Sequence, residues 1–390
     1  MLIIRHATIH SPEGIIADGT LRVLGDRIAG FGPDTLIAAQ LDANPDLPTL
    51  DARGLHLVPG LIDMQCNGFA GHDVLDGDPA VLRALAAALP QHGCTAVLPT
   101  LITASPETLL RGVRAIGEVA GDESGIAAVV LGTHLEGPWL SPEHRGAHPR
   151  EWVRPYDAGE LDALLGAAAG TLRMVTLAPE LPGHLEAVAR LAGEGILVSL
   201  GHSGASYEQA VAAARAGARM ATHLFNAMGP LHHRAPGLAG AALTFPTLVP
   251  SLIPDGHHVH PAIVRLAARA RGPLDFVAIT DSVPAAGLPP GRYGWRGETV
   301  TWDDETVRLP DGTLAGSGLT TIEALRRLIA ITGLSLSEAL PAFTSTPARL
   351  LGQEQERGAI ESGARADLLL LTGDLRVHTT LVGGRVAYRA

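Results

Sequence analysis

Lysine is absent from the 390-residue sequence, so all 29 of its Lys+Arg side chains are arginine. This absence excludes any chemistry that needs a lysine amine: Schiff-base catalysis, a lysine-anchored pyridoxal cofactor, and a carbamylated lysine that bridges two metal ions. The absence itself we attribute to compositional drift, because the chain is rich in alanine, glycine, arginine and proline.

Cysteine and long apolar runs are scarce as well. Cys66 and Cys94 are the two cysteines, and their spacing matches neither a CxxC motif nor a zinc ribbon, which makes a disulfide framework implausible. No apolar run approaches the roughly 18 residues of a membrane span, and the N-terminus MLIIRHATIHSPEG lacks the pattern of a signal peptide. We therefore expect a reduced, soluble, cytoplasmic protein without a membrane partner.

The charge balance is acidic, with a net charge of −11 and no basic stripe, which argues against a nucleic-acid partner. The simplest role of this acidity is solubility. Hydrophobic residues make up 46% of the chain, enough for a large core. At roughly 150 residues per domain the length suggests two or three domains, although a barrel of about 250 residues counts as one.

The hydrophobic pattern divides the chain into three stretches. Residues 56–354 alternate eight apolar strand-like runs with helical stretches, which fits a (β/α)8 barrel better than an open sheet. Residues 1–55 and 355–390 show glycine-punctuated alternation typical of β-structure, and we expect both ends to combine into one small β-sandwich domain. A Pro/Gly-rich, Trp-bearing segment at 285–318 is predicted to be an insertion after the last barrel strand.

Four polar residues stand where predicted buried strands end: Glu136, His202, His223 and Asp281. A carboxylate and two imidazoles form a plausible three-ligand site for a catalytic divalent metal, and Asp281 is placed to act as a general base toward water. Each residue also has a structural explanation: a buried glutamate held by an arginine, hydrogen-bonded core histidines, or a helix-capping aspartate. His134, two residues before Glu136, is a weaker second candidate ligand.

Two further groups of residues suggest substrate contacts. Gln65 and Asn67 share one face of a strand by period-two geometry, and carboxamides are weak metal ligands but good hydrogen-bonding groups; Cys66 then faces the packed side. Arg234 and His258 fall in loops expected at the C-terminal face, where Asn226 and the following backbone amide could also donate to an anion. The alternative for these loop cations is simple solvation.

The motifs PGLIDMQCNG, THLEGPWL, GHSGAS, THLFNAM, PGLAGA, PDGHHV, ITDS and LAGSGLT occur in that order between about residues 55 and 320. Together they strongly resemble the N-acetylglucosamine-6-phosphate deacetylases of the amidohydrolase superfamily. The resemblance implies metal ligands at Glu136, His202 and His223 and a catalytic aspartate at Asp281. It further implies substrate-contacting positions, with His148 polarising the acetamide carbonyl: Gln65, Asn67, His148, Asn226, Ala227, Arg234, His258 and Leu319.

Some members of that family carry His-x-His and two metals where this chain has Gln65 and Asn67. The resemblance therefore implies one divalent ion per chain, with zinc expected and iron, manganese or cobalt as alternatives. It also implies a homodimer in which Arg234 reaches the partner's site.

The expected activity is hydrolysis of the N-acetyl group of N-acetylglucosamine 6-phosphate, a small phosphorylated amino sugar, to glucosamine 6-phosphate and acetate. One alternative is a deacetylase of another N-acetylhexosamine 6-phosphate, such as N-acetylgalactosamine 6-phosphate. Others are a cyclic-amide hydrolase or a deaminase of the same superfamily, and a catalytically dead binding protein. The absent lysine argues against cyclic-amide hydrolases, which typically use a carboxylated lysine.

Overall fold

The N-terminal part of the chain forms strands with alternating buried and exposed residues. In the computed structural model, which describes residues 1–41, 47–122 and 126–390, the first strand buries Ile4, Ala7 and Ile9. The elements are β1 (Leu2–Ser11), β2 (Gly14–Leu24), β3 (Arg27–Pro33), α1 (Asp34–Leu41), β4 (Thr49–Asp51) and β5 (His56–Pro59).

The middle of the chain alternates strands and helices. Its first half comprises β6 (Leu61–Cys66), β7 (Gly68–Phe69), β8 (His72–Asp73), α2 (Pro79–Ala88), β9 (Cys94–Ile102), α3 (Pro106–Val119), β10 (Val129–Val130), β11 (Thr133–Glu136), α4 (Ala158–Ala168) and β12 (Leu172–Leu177). The second half comprises α5 (His184–Gly193), β13 (Leu197–Leu200), α6 (Tyr207–Ala216), β14 (Met220–Ala221), α7 (Gly237–Thr244), β15 (Val249–Leu252), α8 (Pro261–Arg271) and β16 (Val277–Ala278).

The remaining elements are β17 (Gly291–Trp295), β18 (Glu298–Trp302), β19 (Val307–Arg308), α9 (Thr321–Thr332), α10 (Leu336–Ala339), α11 (Ser345–Leu350), β20 (Leu368–Leu371), β21 (Val377–Val382) and β22 (Arg385–Arg389). Short 3-10 turns lie at Val74–Asp76, Leu89–His92, Pro142–His144, Arg150–Trp152 and Leu340–Phe343.

A closed ring of parallel strands forms the centre of the molecule. β9, β11, β12, β13, β14, β15 and β16 pair in this order, β6 pairs with β9, and all these pairs are parallel. A parallel bridge between Cys66 and Ser282 closes the ring between its first and last strands. The eight strands with their outer helices confirm the predicted (β/α)8 barrel.

Local sequence accounts for the strands and helices of the barrel. All nine residues of β9 are buried, as expected for a parallel strand covered on both faces. Helix α3 begins where the Ser105 side chain accepts a hydrogen bond from the Thr108 amide, with Pro106 at the first helical position. Helix α6 begins at a capping box of Ser206 and Gln209.

Both ends of the chain meet in one small sheet. The strand order is β22-β21-β20-β5-β1-β2-β3, with β4 paired to β1. Its apolar core includes Ile4, Leu21, Leu57, Leu368 and Leu381. Strands from both termini thus form one eight-stranded sheet, which also includes β5.

The Trp-bearing segment after β16 forms a separate three-stranded sheet, β17-β18-β19. It has its own small core, in which Trp302 packs with Val283 and Val307. Gly318 lies flat against Trp302, since a Cβ at that position would come within 2.3 Å of the indole ring. The insertion is therefore a packed unit fixed to the carboxyl end of the barrel.

Within the described ranges, no single helix is long and apolar enough to cross a membrane. Thr321–Thr332 and Leu336–Leu350 meet that criterion only as a pair bent by 113°.

Candidate active site

Four strand ends deliver the predicted polar residues to one point. Glu136 is the last residue of β11, while His202, His223 and Asp281 follow β13, β14 and β16 by two or three residues. Because all these strands are parallel, their carboxyl ends meet at the same face of the barrel, where the active sites of this architecture lie. All four side chains are buried.

Three of these side chains converge within hydrogen-bonding distance. His202 Nε2 lies 3.1 Å from Glu136 Oε1, His223 Nε2 lies 3.0 Å from the same oxygen, and the two ring nitrogens are 3.0 Å apart. The three atoms form a nearly equilateral triangle. Such a triangle matches the three protein ligands of a catalytic metal site, in which each bond is about 2.0–2.2 Å long.

The hydrogen bond made by His202 Nδ1 favours a metal-ligand role for His202 Nε2 over a hydrogen bond to Glu136. Its Nδ1 lies 2.9 Å from the carbonyl oxygen of His144, which accepts only, so Nδ1 carries the proton. The lone pair of a neutral ring then sits on Nε2 and faces the lone pairs of the Glu136 carboxylate. A cation held by Glu136 and His202 would relieve this repulsion, and a backbone carbonyl on the other ring nitrogen is the usual partner of a metal-ligating histidine.

The charge states of this cluster are mutually dependent. Burial alone would favour a neutral Glu136, but the adjacent His202 and His223 rings hold the pKa of Glu136 well below its usual range. Burial likewise opposes a charged His223, yet the hydrogen bond to Glu136 raises the pKa of His223 overall. The Glu136 carboxylate is therefore ionised and attracts positive charge.

Two other histidines lie near the triangle. Ligand atoms of Glu136, His148 and His202 all lie within 4.8 Å of one another, so these three residues form a second possible metal-binding group. His148 Nε2, however, is 3.8 Å from the nearer carboxylate oxygen, farther than His223. His134 is excluded from the triangle because its two ring nitrogens are hydrogen-bonded to Thr100 and Thr176.

Asp281 lies beside the triangle and is held by two amides. Its Oδ1 accepts hydrogen bonds from Asn67 Nδ2 at 2.7 Å and from Gln65 Nε2 at 3.1 Å. Burial, followed by repulsion from Glu136, raises the pKa of Asp281 to about 6. A carboxylate with a pKa near the working pH is suited to accept and return a proton.

Gln65 also links the two carboxylates. Its Nε2 lies 3.1 Å from Glu136 Oε1 as well as 3.1 Å from Asp281 Oδ1, and both partners accept only. The amide NH2 group thus lies between the two carboxylates. Gln65 Oε1 and Asn67 Oδ1 are buried and have no hydrogen-bond partner within the described part of the chain.

Backbone strain is concentrated at these residues. His202, His223 and Asp281 have φ values of 49°, 31° and 51°, and Ala227 has 49°. Non-glycine residues rarely adopt this left-handed region, which costs of order 1–3 kcal/mol per residue. The sharp turn after each strand aims the side chain across the barrel mouth rather than away from it.

A cavity of about 310 Å³ opens above the triangle. Of the predicted substrate-contacting residues, its walls include Asn67, His148, Asn226, Ala227 and His258. Gln65 and Leu319 are buried and do not belong to this lining, and Arg234 is exposed on a loop outside it.

The anion-binding candidates have distinct environments. His258 Nδ1 lies 2.5 Å from Asp255 Oδ2, which orients the ring. Although burial of Asp255 opposes ionisation, the hydrogen bond to His258 lowers the pKa of this aspartate. Arg234 is hydrogen-bonded to the neighbouring His233.

Residues of the insertion also line the cavity and were missed from the sequence: Trp295, Arg296, Arg308, Gly312, Thr313, Leu314 and Gly316. A usable signal existed, because an insertion after the last strand of such a barrel falls at the face that carries the active site. The sequence does not reveal which of its arginines turns inward.

Known proteins resemble this chain over most of its length. The Amidohydrolase family matches residues 56–387. An N-acetylgalactosamine-6-phosphate deacetylase of Escherichia coli O157:H7 is 38% identical over 388 residues, 99% of each chain. The N-acetylglucosamine-6-phosphate deacetylase of Bacillus subtilis (strain 168) is 39% identical over 334 residues, 85% of this chain and 84% of the relative.

Solved structures resemble the whole fold. A mutant N-acetyl-D-glucosamine-6-phosphate deacetylase of Mycobacterium smegmatis, in complex with N-acetyl-D-glucosamine-6-phosphate, superposes with a TM-score of 0.90 at 34% identity over 99% of both chains. The N-acetylglucosamine-6-phosphate deacetylase of Pasteurella multocida gives a TM-score of 0.92 at 31% identity over 100% of both chains. The chain therefore belongs to the amidohydrolase family, in the group that contains the N-acetylglucosamine-6-phosphate deacetylases.

Proposed function

We propose that this protein hydrolyses the N-acetyl group of N-acetylglucosamine 6-phosphate to give glucosamine 6-phosphate and acetate. The observation that carries the proposal is the triangle of Glu136, His202 and His223 with Asp281 beside it. A three-ligand cluster next to a carboxylate in a cavity suits metal-assisted amide hydrolysis, and relatives that align over most of their length carry this activity in their names.

One divalent ion per chain, zinc by preference, is proposed for Glu136, His202 and His223. When bound there, such an ion would supply a Lewis acid that lowers the pKa of water to about 7. A single ion is favoured because the Gln65 amide already bridges Glu136 and Asp281.

Asp281 is proposed to take a proton from the attacking water and to return it to the departing amine. The two hydrogen bonds from Asn67 and Gln65 both reach Oδ1, so Oδ2 is left for proton transfer. The same two amides fix the orientation of the carboxylate.

His148 is proposed to stabilise the negative charge that develops on the acetamide oxygen. Its Nδ1 lies 2.8 Å from the Thr103 hydroxyl, which can donate to it and leave the proton on Nε2. Burial, with repulsion from His202, holds the pKa of His148 well below its usual range. A neutral ring with Nε2–H is a hydrogen-bond donor that does not compete with Asp281 for protons.

The phosphate is proposed to lie against Asn226, Ala227 and His258, with Arg234 completing the site from the partner subunit of a homodimer. Asn226, Ala227 and His258 all line the cavity. The exposed position of Arg234, outside the cavity of its own chain, is compatible with such an exchange. A cytoplasmic location remains a prediction from the sequence.

Arg234→Ala is expected to lower kcat/KM for the phosphorylated sugar by roughly ten- to a hundredfold, because a charge-assisted hydrogen bond contributes about 1.5–3 kcal/mol. The effect should largely vanish with unphosphorylated N-acetylglucosamine, which has no anion to bind. Arg269→Ala, at an exposed position of α8, is the matched control. Equal losses on both sugars would mean that Arg234 is structural.

A mixing experiment with two variants tests separately whether Arg234 is supplied by the partner subunit. Chains carrying Arg234→Ala and chains carrying Asp281→Asn, unfolded and refolded together, should regain activity, because some sites then combine a native Asp281 with a native Arg234 from the partner. No recovery in verified heterodimers would contradict the exchange.

N-acetylgalactosamine 6-phosphate is the second candidate substrate, favoured by the E. coli relative that aligns over 99% of both chains. An acetate-release assay on both phosphorylated sugars and their unphosphorylated forms decides between the two. We expect the highest kcat/KM for N-acetylglucosamine 6-phosphate. A higher value for the galactosamine epimer would reverse the assignment, and no acetate release by the metal-loaded protein would reject both.

A further inference from the structure

Arg296 occupies an unusual backbone position at the tip of a hairpin. The pairing of β17 with β18 ends at Trp295 and Glu298, so Arg296 and Gly297 form a two-residue turn. Their φ values of 53° and 79° are those of a type I′ turn, which normally takes asparagine, aspartate or glycine at its first position. An arginine held in this strained conformation invites a functional explanation.

The guanidinium of Arg296 packs against its neighbours, but some of its N–H groups have no hydrogen-bond partner among the described residues. Its Cζ lies 4.1 Å from the centre of the Trp295 ring, and its Nε lies 3.6 Å from Asp73 Oδ2, too far for a hydrogen bond. The side chain is 18% exposed. Its Nε and Nη2 are buried and find no hydrogen-bond partner among the described residues.

Unpaired N–H groups on a guanidinium that is still partly exposed favour an incoming oxyanion, which the planar fork of arginine binds through paired hydrogen bonds. Burial lowers the pKa of Arg296 to about 10, so the group still carries its charge at neutral pH.

Arg296 lines two cavities at once. One is the catalytic cavity above the metal-type triangle, and the other is an adjoining cavity of about 400 Å³. His148 and Trp295 also border both cavities. The adjoining cavity is lined by further arginines and by acidic residues: Arg145, Arg150, Glu151, Glu298 and Asp311. Asn226, Ala227 and His258 are not among the described residues that line the adjoining cavity.

The chemistry of the substrate identifies the anion that would reach this side. In a 2-acylamino hexose 6-phosphate, the acyl group on C2 and the phosphate-bearing carbon on C5 project from opposite corners of the ring. With the phosphate against Asn226, Ala227 and His258, as the proposed function has it, the acyl end points away from these three residues. The anion that hydrolysis creates at the acyl end is a carboxylate.

We propose that Arg296 binds the carboxylate at the acyl end of the substrate, and that the adjoining cavity is the space into which this carboxylate extends. The carboxylate is either the acetate that the reaction releases or an acid group carried by a larger acyl chain.

The test uses Arg296→Asn in the zinc-loaded enzyme, since asparagine tolerates the left-handed turn. Titration with [13C]acetate, followed by NMR line broadening, measures binding without turnover, and the inhibition constant of acetate measures it during turnover. The dissociation constant and the inhibition constant of acetate should both rise about tenfold or more. The constants of Arg296→Lys should lie between those of Arg296→Asn and the wild type. Arg292→Asn, on an exposed position of the same hairpin, is the control.

A second arm distinguishes the source of the carboxylate. The wild type should prefer N-succinylglucosamine 6-phosphate over its neutral N-succinamoyl counterpart if acyl chains with an acid group are bound, and Arg296→Asn should lose that preference. Weaker acetate binding with no such preference would assign Arg296 to the released acetate alone.

Two results would overturn the inference. One is acetate binding and acyl preference both equal to the wild type. The other is a loss of kcat/KM confined to the phosphorylated sugar, which would make Arg296 a phosphate contact. Because the acetate titration needs no turnover, its outcome is separate from that of the acetate-release assay that tests the proposed function.

Discussion

Asp281→Asn should lose at least about 10²–10⁴-fold in turnover, the range that general acid–base groups typically contribute. Asparagine keeps the size of aspartate and still accepts the hydrogen bonds from Asn67 and Gln65, but it cannot accept a proton from water. The loss should appear in kcat, while the content of tightly held metal and the affinity for the phosphorylated sugar stay close to those of the wild type.

Stopped-flow or steady-state acetate release measures the first effect, and elemental analysis with direct titration of the sugar measures the others. Asp304→Asn, at an exposed turn of the insertion, makes the same chemical change away from the cavity and should leave turnover unaltered. Near-normal turnover by Asp281→Asn would refute its role as the base. Loss of the metal would instead make Asp281 a ligand.

Glu136→Ala should remove both the metal and the activity. Two imidazoles remain in the variant, and the anionic member of the triangle is lost. We expect about one zinc ion per chain in the saturated wild type and close to none in the variant after the same desalting. Since a ligand that binds only the folded state stabilises it by about 4.1 kcal/mol at a thousand times its Kd, zinc should raise the Tm of the wild type and leave that of the variant unchanged.

Glu136→Gln serves as a near-isosteric second variant, in case the alanine variant folds poorly. Glu151→Gln, at an exposed loop position near the cavity, is the matched control and should retain its ion. A Glu136 variant that keeps a stoichiometric ion would overturn the ligand assignment. Two equally tight ions in the wild type would overturn the single-metal proposal.

Much of this site was within reach of the sequence. Polar residues at strand ends can be recognised from the sequence because each follows a run of apolar β-branched residues, and parallel strands end at a common face. The pattern before Glu136, His202, His223 and Asp281 therefore predicted their convergence. The carboxamides of Gln65 and Asn67 could be recognised as hydrogen-bonding groups for the same reason. Their hydrogen bonds to Glu136 and Asp281 could not be predicted.

Other features depend on long-range packing and left no local signal. The run HLVPGLIDMQ reads as one strand, but the chain divides it between β5 of the terminal sheet and β6 of the barrel. Arg296 looks like any surface arginine of a loop until the register of β17 and β18 places it at a turn over the cavity. Register is set by pairing across the sheet, which a single sequence does not display.

The terminal sheet has a consequence for biosynthesis. β5 pairs with β20 on one side, and Arg365 is hydrogen-bonded to Asp26, 339 positions earlier in the chain. The strands between residues 2 and 59 are synthesised before the barrel. β5 therefore lacks its partner β20 until the whole barrel has left the ribosome. During that interval the β5 edge is open to pairing with other nascent chains. Chaperone demand should therefore peak late in translation and should persist in any chain truncated before β20.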